Sequence, residues 1–427
     1  MQNTTIPYNK LILYHQILED PIVKNVQYLL DIYYDDINRS KGSFKDCYYR
    51  TYYKLLEKAQ QERVCGYLWK NYLLMLLLDD ENVFSLACEK ESFEISKTLY
   101  TTAVHDMDIL KALYEINWKE IENTIGIETI SFCDFFEINE KEDYFSIQYT
   151  KKVKNLYKAF SEPLSCEELV EYFIRHYHVV GTGKFGKYAA FRWDNGLKEI
   201  ENPDPIKFED LIGYHYQKEI LIKNTEAFVN GKKANNVLLF GDRGTGKSSS
   251  VKALLNTYAH HGLRMIELSK NQLVHFYDIV KAIKNRGLRF IIFMDDLSFE
   301  DFETDSKYMK AMIEGGLEIK PDNVLIYVTS NRRHLIKESL ADDLHEKDSR
   351  EERLSLSDRF GITITYLSPN QEEYFKIIEE VALKKGINMP TDILKEKAFH
   401  WGMRYNGRSG RTAHQFIDYL VGEACNN

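Results

Sequence analysis

Paired cysteines, proline and long apolar runs are what this chain has least of. Its six cysteines are Cys47, Cys65, Cys88, Cys133, Cys166 and Cys425, with no C-x-x-C pair and no accompanying histidine cluster. That spacing excludes a zinc site of the usual kind and a disulfide framework, and implies reduced, mostly buried thiols in a cytoplasmic protein. The first residues, Met-Gln-Asn-Thr-Thr, carry no basic stretch leading into an apolar run, so no signal peptide is expected. The strongest apolar run, Tyr72 to Leu78, is far short of the ~20 residues that cross a bilayer, so a buried helix is expected there and no membrane contact. Basic charge is also in deficit. The formal net charge of -9 argues against a free-standing nucleic-acid binder, without excluding a local basic groove.

What is present suggests several domains, because 427 residues exceed one compact core. Residues 1–178 read as a helical domain, dense in Tyr and Phe. Ile22, Val23, Val26, Leu29, Leu30 and Ile32 recur at helical spacing, as do the apolar residues between Ala103 and Trp118. No catalytic constellation stands out there, and His105 and Asp106 read as surface or cap residues. Residues 179–204 read as a β-hairpin and linker. The run from Val179 to Gly186 contains G-x-G-x-x-G, but a strand from Lys187 to Trp193 is expected after it, where a dinucleotide site needs a helix. Asn202-Pro-Asp-Pro205 marks the linker's end.

From 205 to 368, short apolar runs alternate with helical stretches. The runs are Val237 to Phe240, Met265 to Leu268, Phe290 to Met294, Val324 to Thr329 and Ile362 to Leu367. This pattern predicts an α/β fold, a P-loop αβα sandwich around a parallel sheet. Ser368, Pro369 and Gln371 suggest an N-cap, an N1 proline and a capping box, opening a helical lid over 369–427.

One motif dominates this region. Gly241, Asp242, Arg243, Gly244, Thr245, Gly246, Lys247 and Ser248 satisfy G-x-x-x-x-G-K-[ST] at every fixed position, and Ser249 follows. Glycines let consecutive backbone N–H groups turn towards phosphates. Lys247 is placed to reach the β and γ phosphates, and Ser248 to offer its hydroxyl to Mg²⁺. A strand precedes the motif. An apolar helix face follows it (Val251, Leu254, Leu255, Tyr258), with Gly262 as its C′ residue. About fifty residues on, an apolar strand ends in Asp295 and Asp296. The first carboxylate suits the metal, with Ser248, and the second suits orienting and deprotonating the attacking water.

These residues resemble the AAA+ superfamily, and in particular bacterial AAA+ proteins described only as ATP-binding or of unknown function. The resemblance rests on Asp210-Leu-Ile-Gly213-Tyr214, Asn224 to Phe228, the stretch from Asn236 to Ser248, Asp295 to Glu300, Thr329 to His334, Leu354 to Gly361, and Ser409 to Arg411. It implies that Gly213 and Tyr214 frame adenine and that Asn331 is the sensor that helps position the attacking water. Arg359 is implied as an arginine finger acting on a neighbouring subunit, and Arg411 as the lid arginine, with Arg408 as its rival. Where many AAA+ motors carry Asp-Glu, this chain carries Asp-Asp, compatible with slow hydrolysis.

The expected function is therefore that of a Mg-ATP hydrolase that remodels or switches an unknown protein partner through the N-terminal domain, as a homo-oligomer with shared sites. One alternative is a nucleic-acid-associated loader, supported by Arg332, Arg333 and His334 and by Lys384, Lys385, Lys395 and Lys397. Most such groups are solvated helix faces. The other alternative is a non-motor, ATP-gated interaction module.

Overall fold

The computed structural model describes residues 6–90, 95–137, 144–298, 309, 312–313, 321–331, 359–405 and 407–424. The chain divides into two compact units. The first comprises residues 1–189, 201–203 and 286–288, and the second comprises 190–200, 204–285 and 289–427.

The first unit is helical: α1 (Pro21–Glu62), α2 (Leu68–Asp79), α3 (Val83–Lys90), α4 (Lys97–Tyr114), α5 (Trp118–Ile125), α6 (Tyr144–Ser161), α7 (Cys166–Val180) and α8 (Gly183–Lys187). A two-stranded ribbon joins β1 (Gly66–Tyr67) to β2 (Phe135–Phe136). The apolar run of α2 is a buried helix, with Leu73, Leu74 and Leu77 fully enclosed. Aromatic rings fill much of this core. Tyr48 stacks on Phe132 at 4.3 Å, and Trp69 meets Trp118 edge-on at 6.0 Å. Cys47, Cys65, Cys88, Cys133 and Cys166 are free, and Cys425 lies outside the described residues. Among the described residues, no helix is long and apolar enough to cross a membrane.

Two expectations for this unit fail. Asp106 is not a surface residue: it is fully buried. Its carboxylate accepts from the backbone N–H groups of Ile12 (3.0 Å), Leu13 (2.7 Å) and Tyr14 (3.1 Å), pinning the N-terminal segment to α4. Nor does a strand begin at Lys187. Residues 183–187 form the short helix α8, and its last residue, Lys187, pairs with Glu62 and Asp79, each at 2.9 Å. The strand starts only at Ala190.

In the second unit, β3 (Ala190–Trp193) and β4 (Leu197–Ile200) form the hairpin. They are followed by α9 (His215–Val229), β5 (Val237–Gly241), α10 (Lys247–Tyr258), β6 (Leu263–Glu267), α11 (Phe276–Ile283), β7 (Arg289–Met294), β8 (Val324–Ser330) and β9 (Ile362–Tyr366). The chain ends in α12 (Gln371–Lys384), α13 (Thr391–Arg404) and α14 (Gly410–Ala424). One seven-stranded sheet runs β4-β3-β6-β7-β8-β5-β9, parallel apart from the β3–β4 hairpin. The hairpin is thus the edge of the sheet rather than a separate linker, since β3 pairs in parallel with β6, Phe191 opposite Ile266. Every residue of β8 is buried, which explains its unbroken apolar run. The lid helices close over their own core of Tyr374, Ile378, Val381, Ala398, Phe416 and Ile417.

The start of the lid is displaced from expectation. Asn370, not Ser368, caps α12, and its capping-box partner is Glu373. The backbone N–H of Ser368 is committed elsewhere, to the carboxylate of Asp242 at 2.7 Å.

Removing the Asp106 carboxylate orphans the buried N–H donors of Leu13 and Tyr14 and the part-buried one of Ile12. Asp106→Ala is expected to destabilise the first unit by more than about 3 kcal/mol, because hydrogen bonds to a charged acceptor are worth ~1.5–3 kcal/mol each. Asp106→Asn, which keeps one acceptor oxygen, loses less. Urea unfolding followed by the fluorescence of the buried Trp69 and Trp118 measures both.

Candidate nucleotide site

The site is built on the C-terminal ends of β5, β7 and β8. The loop after β5 curls because Gly241, Gly244 and Gly246 adopt φ of +134°, +75° and +90°. At Gly241 any side chain is excluded, since a Cβ would lie 1.9 Å from the carbonyl oxygen of Tyr366 on β9. Thr245 ties the loop to itself, its hydroxyl donating to the Asp242 carbonyl at 2.8 Å. Lys247 is the first residue of α10 and is buried. Its ammonium donates to the carbonyls of Gly241 (2.9 Å) and Asp242 (2.6 Å) and to Asn331 Oδ1 (3.1 Å). Burial lowers its pKa, opposed by the carboxylates of Asp296, Asp242 and Asp295. Asp242 is held below the usual carboxylate range by the side-chain and backbone hydrogen bonds it accepts from Ser368.

Strand order decides how the carboxylates meet the loop. β8 lies between β5 and β7, so its end faces both. Its register pairs Phe240 with Ser330 and Met294 with Val328. One step further, Asn331 lies beside Gly241, and Thr329 beside Asp295. Asp295 Oδ1 accepts from Ser248 Oγ and from Thr329 Oγ1, each at 2.5 Å. The Asp296 N–H donates to Thr329 Oγ1 at 2.9 Å, and Asn331 Nδ2 donates to Asp296 Oδ1. Lys247, Asn331, Asp296, Thr329, Asp295 and Ser248 therefore form one hydrogen-bonded chain, whose ends, Lys247 and Ser248, are neighbours in sequence.

Around it lies a cleft of about 670 Å³, lined by loop residues 243–250, both aspartates, Thr329, Asn331, Ile206, Asp210, Ile212, Tyr214, Lys218, Ile377, Arg411 and His414. Gly213 and Tyr214 both take positive φ, +79° and +53°. This turn brings the Tyr214 ring to 5.0 Å from that of Tyr366, with its hydroxyl on the Leu367 carbonyl at 2.7 Å. The lid reaches the loop directly, as the Arg411 N–H donates to the Gly244 carbonyl at 3.2 Å. Arg411 lines this cleft, whereas Arg408 lines a separate open recess with Asp242, Arg243 and Ser368.

A family model described as a protein of unknown function, DUF815, matches residues 186–424. The chain belongs to the DUF815 family. Within it, this protein matches curated relatives only over short stretches. Replication factor C large subunit of Methanococcus maripaludis strain C7 is 37% identical over 60 residues, 14% of this chain and 12% of that one. The strain C6 protein of the same name is 30% identical over 104 residues, 23% and 21%. The chain thus spans less than a quarter of the length of these relatives. Among solved structures, the Thermotoga maritima RuvB Holliday junction branch migration motor aligns with TM-score 0.36 at 15% identity, covering 51% of this chain and 65% of that one. A point mutant of the same RuvB aligns with TM-score 0.39 at 16% identity, covering 52% and 67%.

In this DUF815 protein, one expected site residue stands apart from the cleft. Arg359 sits in the turn before β9, and β9 runs parallel to β5 with Ile362 beside Val237 and Tyr366 beside Gly241. Arg359 is thus at the opposite end of the sheet from the loop. The span from Ile362 to Tyr366 alone is about 13 Å at ~3.3 Å per residue. Residues 354–358 of its motif, and Arg332, Arg333 and His334, lie outside the described residues. The basic cluster of the lid is engaged locally: Lys384 donates to the Glu209 carbonyl, Lys385 pairs with Asp418, and Lys395 pairs with Glu379 at 2.7 Å.

Sequence reasoning missed Thr329, His414 and Lys218 in the cleft. Two signals were available. Thr329 is two residues before Asn331, which directly follows the strand, so the period of two puts them on the same side, and His414 is three residues after Arg411 on one helix. Burial, with the nearby ammonium of Lys385, lowers the His414 pKa.

Gly241→Ala is expected to weaken nucleotide binding by at least about tenfold, ~1.4 kcal/mol, because the β5–β9 contact must open to admit the methyl. Titration with a fluorescent ATP analogue checks this, and an affinity equal to wild type would show that the loop accommodates the methyl.

Proposed function

We propose that the protein binds Mg-ATP in this cleft and hydrolyses it, and that it does so as an AAA+ ATPase assembled from several copies, to remodel or switch a protein partner engaged by the N-terminal domain. The hydrogen-bonded chain from Lys247 to Ser248 carries this reading. It joins the buried, phosphate-facing lysine, a metal-facing hydroxyl and carboxylate, and a second carboxylate held by an amide, in one network open to the cleft.

The donor set fits magnesium. Ser248 Oγ and Asp295 Oδ1 converge as hard oxygen donors, and Mg²⁺ is commonly held by one or two such groups plus substrate phosphates. Among the described residues there is no cluster of three or more His, Cys, Asp or Glu to hold a metal alone, so the ion would enter with the nucleotide. When bound it would neutralise phosphate charge. The chain's own groups do the rest. Backbone N–H groups of the loop and the N-terminus of α10 face the phosphates, and Lys247 adds a cation with little water to displace. Asp296, its carboxylate oriented by Asn331, accepts the proton of the attacking water. Tyr214, Ile206, Ile212 and Ile377 form the apolar walls for the base, and Gly213 permits the turn that brings Tyr214 in. Arg411 approaches the phosphates from the lid.

Arg359 is too far along the sheet to serve its own loop, which supports a role in the site of a neighbouring copy. Arg suits such work because it stays charged and presents a planar fork of donors. The engaged lid lysines lend no support to a loader that grips nucleic acid through them.

Mixing tests this reading. Lys247→Ala should lose ATP binding, and Arg359→Ala should bind ATP but hydrolyse it ~10³–10⁵-fold more slowly, the usual worth of an arginine finger. Combined, the two inactive proteins should regain part of the activity, because an intact Lys247 site can face an intact Arg359. Wild-type specific activity should also rise with protein concentration. No recovery on mixing, with specific activity constant at all dilutions, would assign Arg359 a role within its own subunit.

A further inference from the structure

The Asp295-Asp296 pair is held in an unusual way. Asp296 has φ of +50°, a left-handed conformation that a non-glycine residue adopts at a cost. Two bonds from the end of β8 oppose that cost. Asn331 takes the Asp296 side chain, and Thr329 Oγ1 takes its backbone N–H at 2.9 Å. The same Thr329 hydroxyl gives its own hydrogen to Asp295 Oδ1 at 2.5 Å. The Leu297 N–H then donates to the Thr329 carbonyl at 2.8 Å, clamping the turn beyond the pair. Thr329 is 1% exposed, so water cannot readily replace its hydroxyl.

We propose that Thr329 is the positioning residue of this site: one buried hydroxyl sets both the metal-facing carboxylate and the backbone turn that aims the proton-accepting carboxylate. The inference rests on the reading of the cleft as a Mg-ATP site. A hydroxyl is required because one atom must donate to Asp295 and accept from the Asp296 N–H, and neither valine nor alanine does either. Without it, Asp295 Oδ1 keeps only the Ser248 bond, and the Asp296 N–H is left without its acceptor. The left-handed turn is then free to relax, and both carboxylates lose their aim together. Groups that orient metal-binding carboxylates in this way typically change metal affinity or activity 10–100-fold when removed.

The test compares Thr329→Val with Thr329→Ser. Valine keeps the shape and the strand preference, while serine keeps only the hydroxyl. Three quantities are read: binding of a fluorescent ATP analogue in EDTA, the Mg²⁺ concentration that half-saturates the tightening of that binding, and steady-state turnover. For Thr329→Val, binding in EDTA should stay within about twofold of wild type, half-saturating Mg²⁺ should rise roughly tenfold, and kcat should fall roughly tenfold or more with little change in KM. Thr329→Ser should return the last two to within a few-fold of wild type. If valine proves too poorly packed to fold, judged by the melting temperature, Thr329→Ala removes the same hydroxyl without added bulk. Wild-type Mg²⁺ dependence and turnover in the valine or alanine variant would overturn the proposal, as would a serine variant as impaired as valine. A wild-type protein that binds no nucleotide would overturn the underlying reading of the cleft, an outcome distinct from either.

Discussion

The constraint on which the site depends is that one strand separates the phosphate loop from the carboxylates. Neighbouring strands lie about 4.8 Å apart, so β5 and β7, with β8 between them, stand roughly 10 Å apart. That gap is too wide for backbone pairing to fix the relation of the loop to the acids. It leaves the task to the side chains at the end of β8. Asn331 reaches Lys247 on one flank and Asp296 on the other. Thr329 holds the pair itself. Because β8 is buried along its whole length, its position is set by the core of the sheet, and the polar residues at its tip inherit that rigidity.

The short side chain of Asp296 fits this arrangement, because the backbone turns to carry it and an amide holds it. The sheet also extends beyond the strands that bear the site. The hairpin β3–β4 adds two strands to the edge beside β6. The chain that follows the hairpin is held by Asn256 on α10, whose amide donates to the carbonyls of Asp204 and Ile206. Ile206 is itself a wall of the cleft, so the chain that leaves the sheet edge helps to shape it.

Much of this was legible in the residues, and the reasons differ by element. The tight turn between β5 and α10 was legible because Gly241, Gly244 and Gly246 stand where the backbone takes positive φ. The parallel strands were legible because burial on both faces demands continuous apolar runs, as in Phe290 to Met294. The hairpin was recognised as a hairpin but not as part of the sheet, since pairing of Phe191 with Ile266 is a contact across more than seventy residues that no local pattern encodes. The lid's cap was misread by two positions because Ser368 and Asn370 are both good caps, and only the distant Asp242 decides between them. Asp106 was misjudged for a related reason: its partners, Ile12 to Tyr14, lie far away in sequence and donate through backbone atoms, which carry no residue signature. Thr329 looks like an ordinary β-branched strand residue until its hydroxyl is seen between the Asp295 carboxylate and the Asp296 N–H.

The contact of the lid with the loop has a further consequence. The N–H of Arg411 is bonded to the Gly244 carbonyl, the Ser368 N–H is bonded to the Asp242 carboxylate, and a Cβ on Gly244 would meet Ser409 Oγ at 2.8 Å. The lid is therefore fastened at two points to the glycine-rich loop. A displacement of that loop too small to repack the sheet would carry α12 and α14 with it, as a lever turns about its fulcrum.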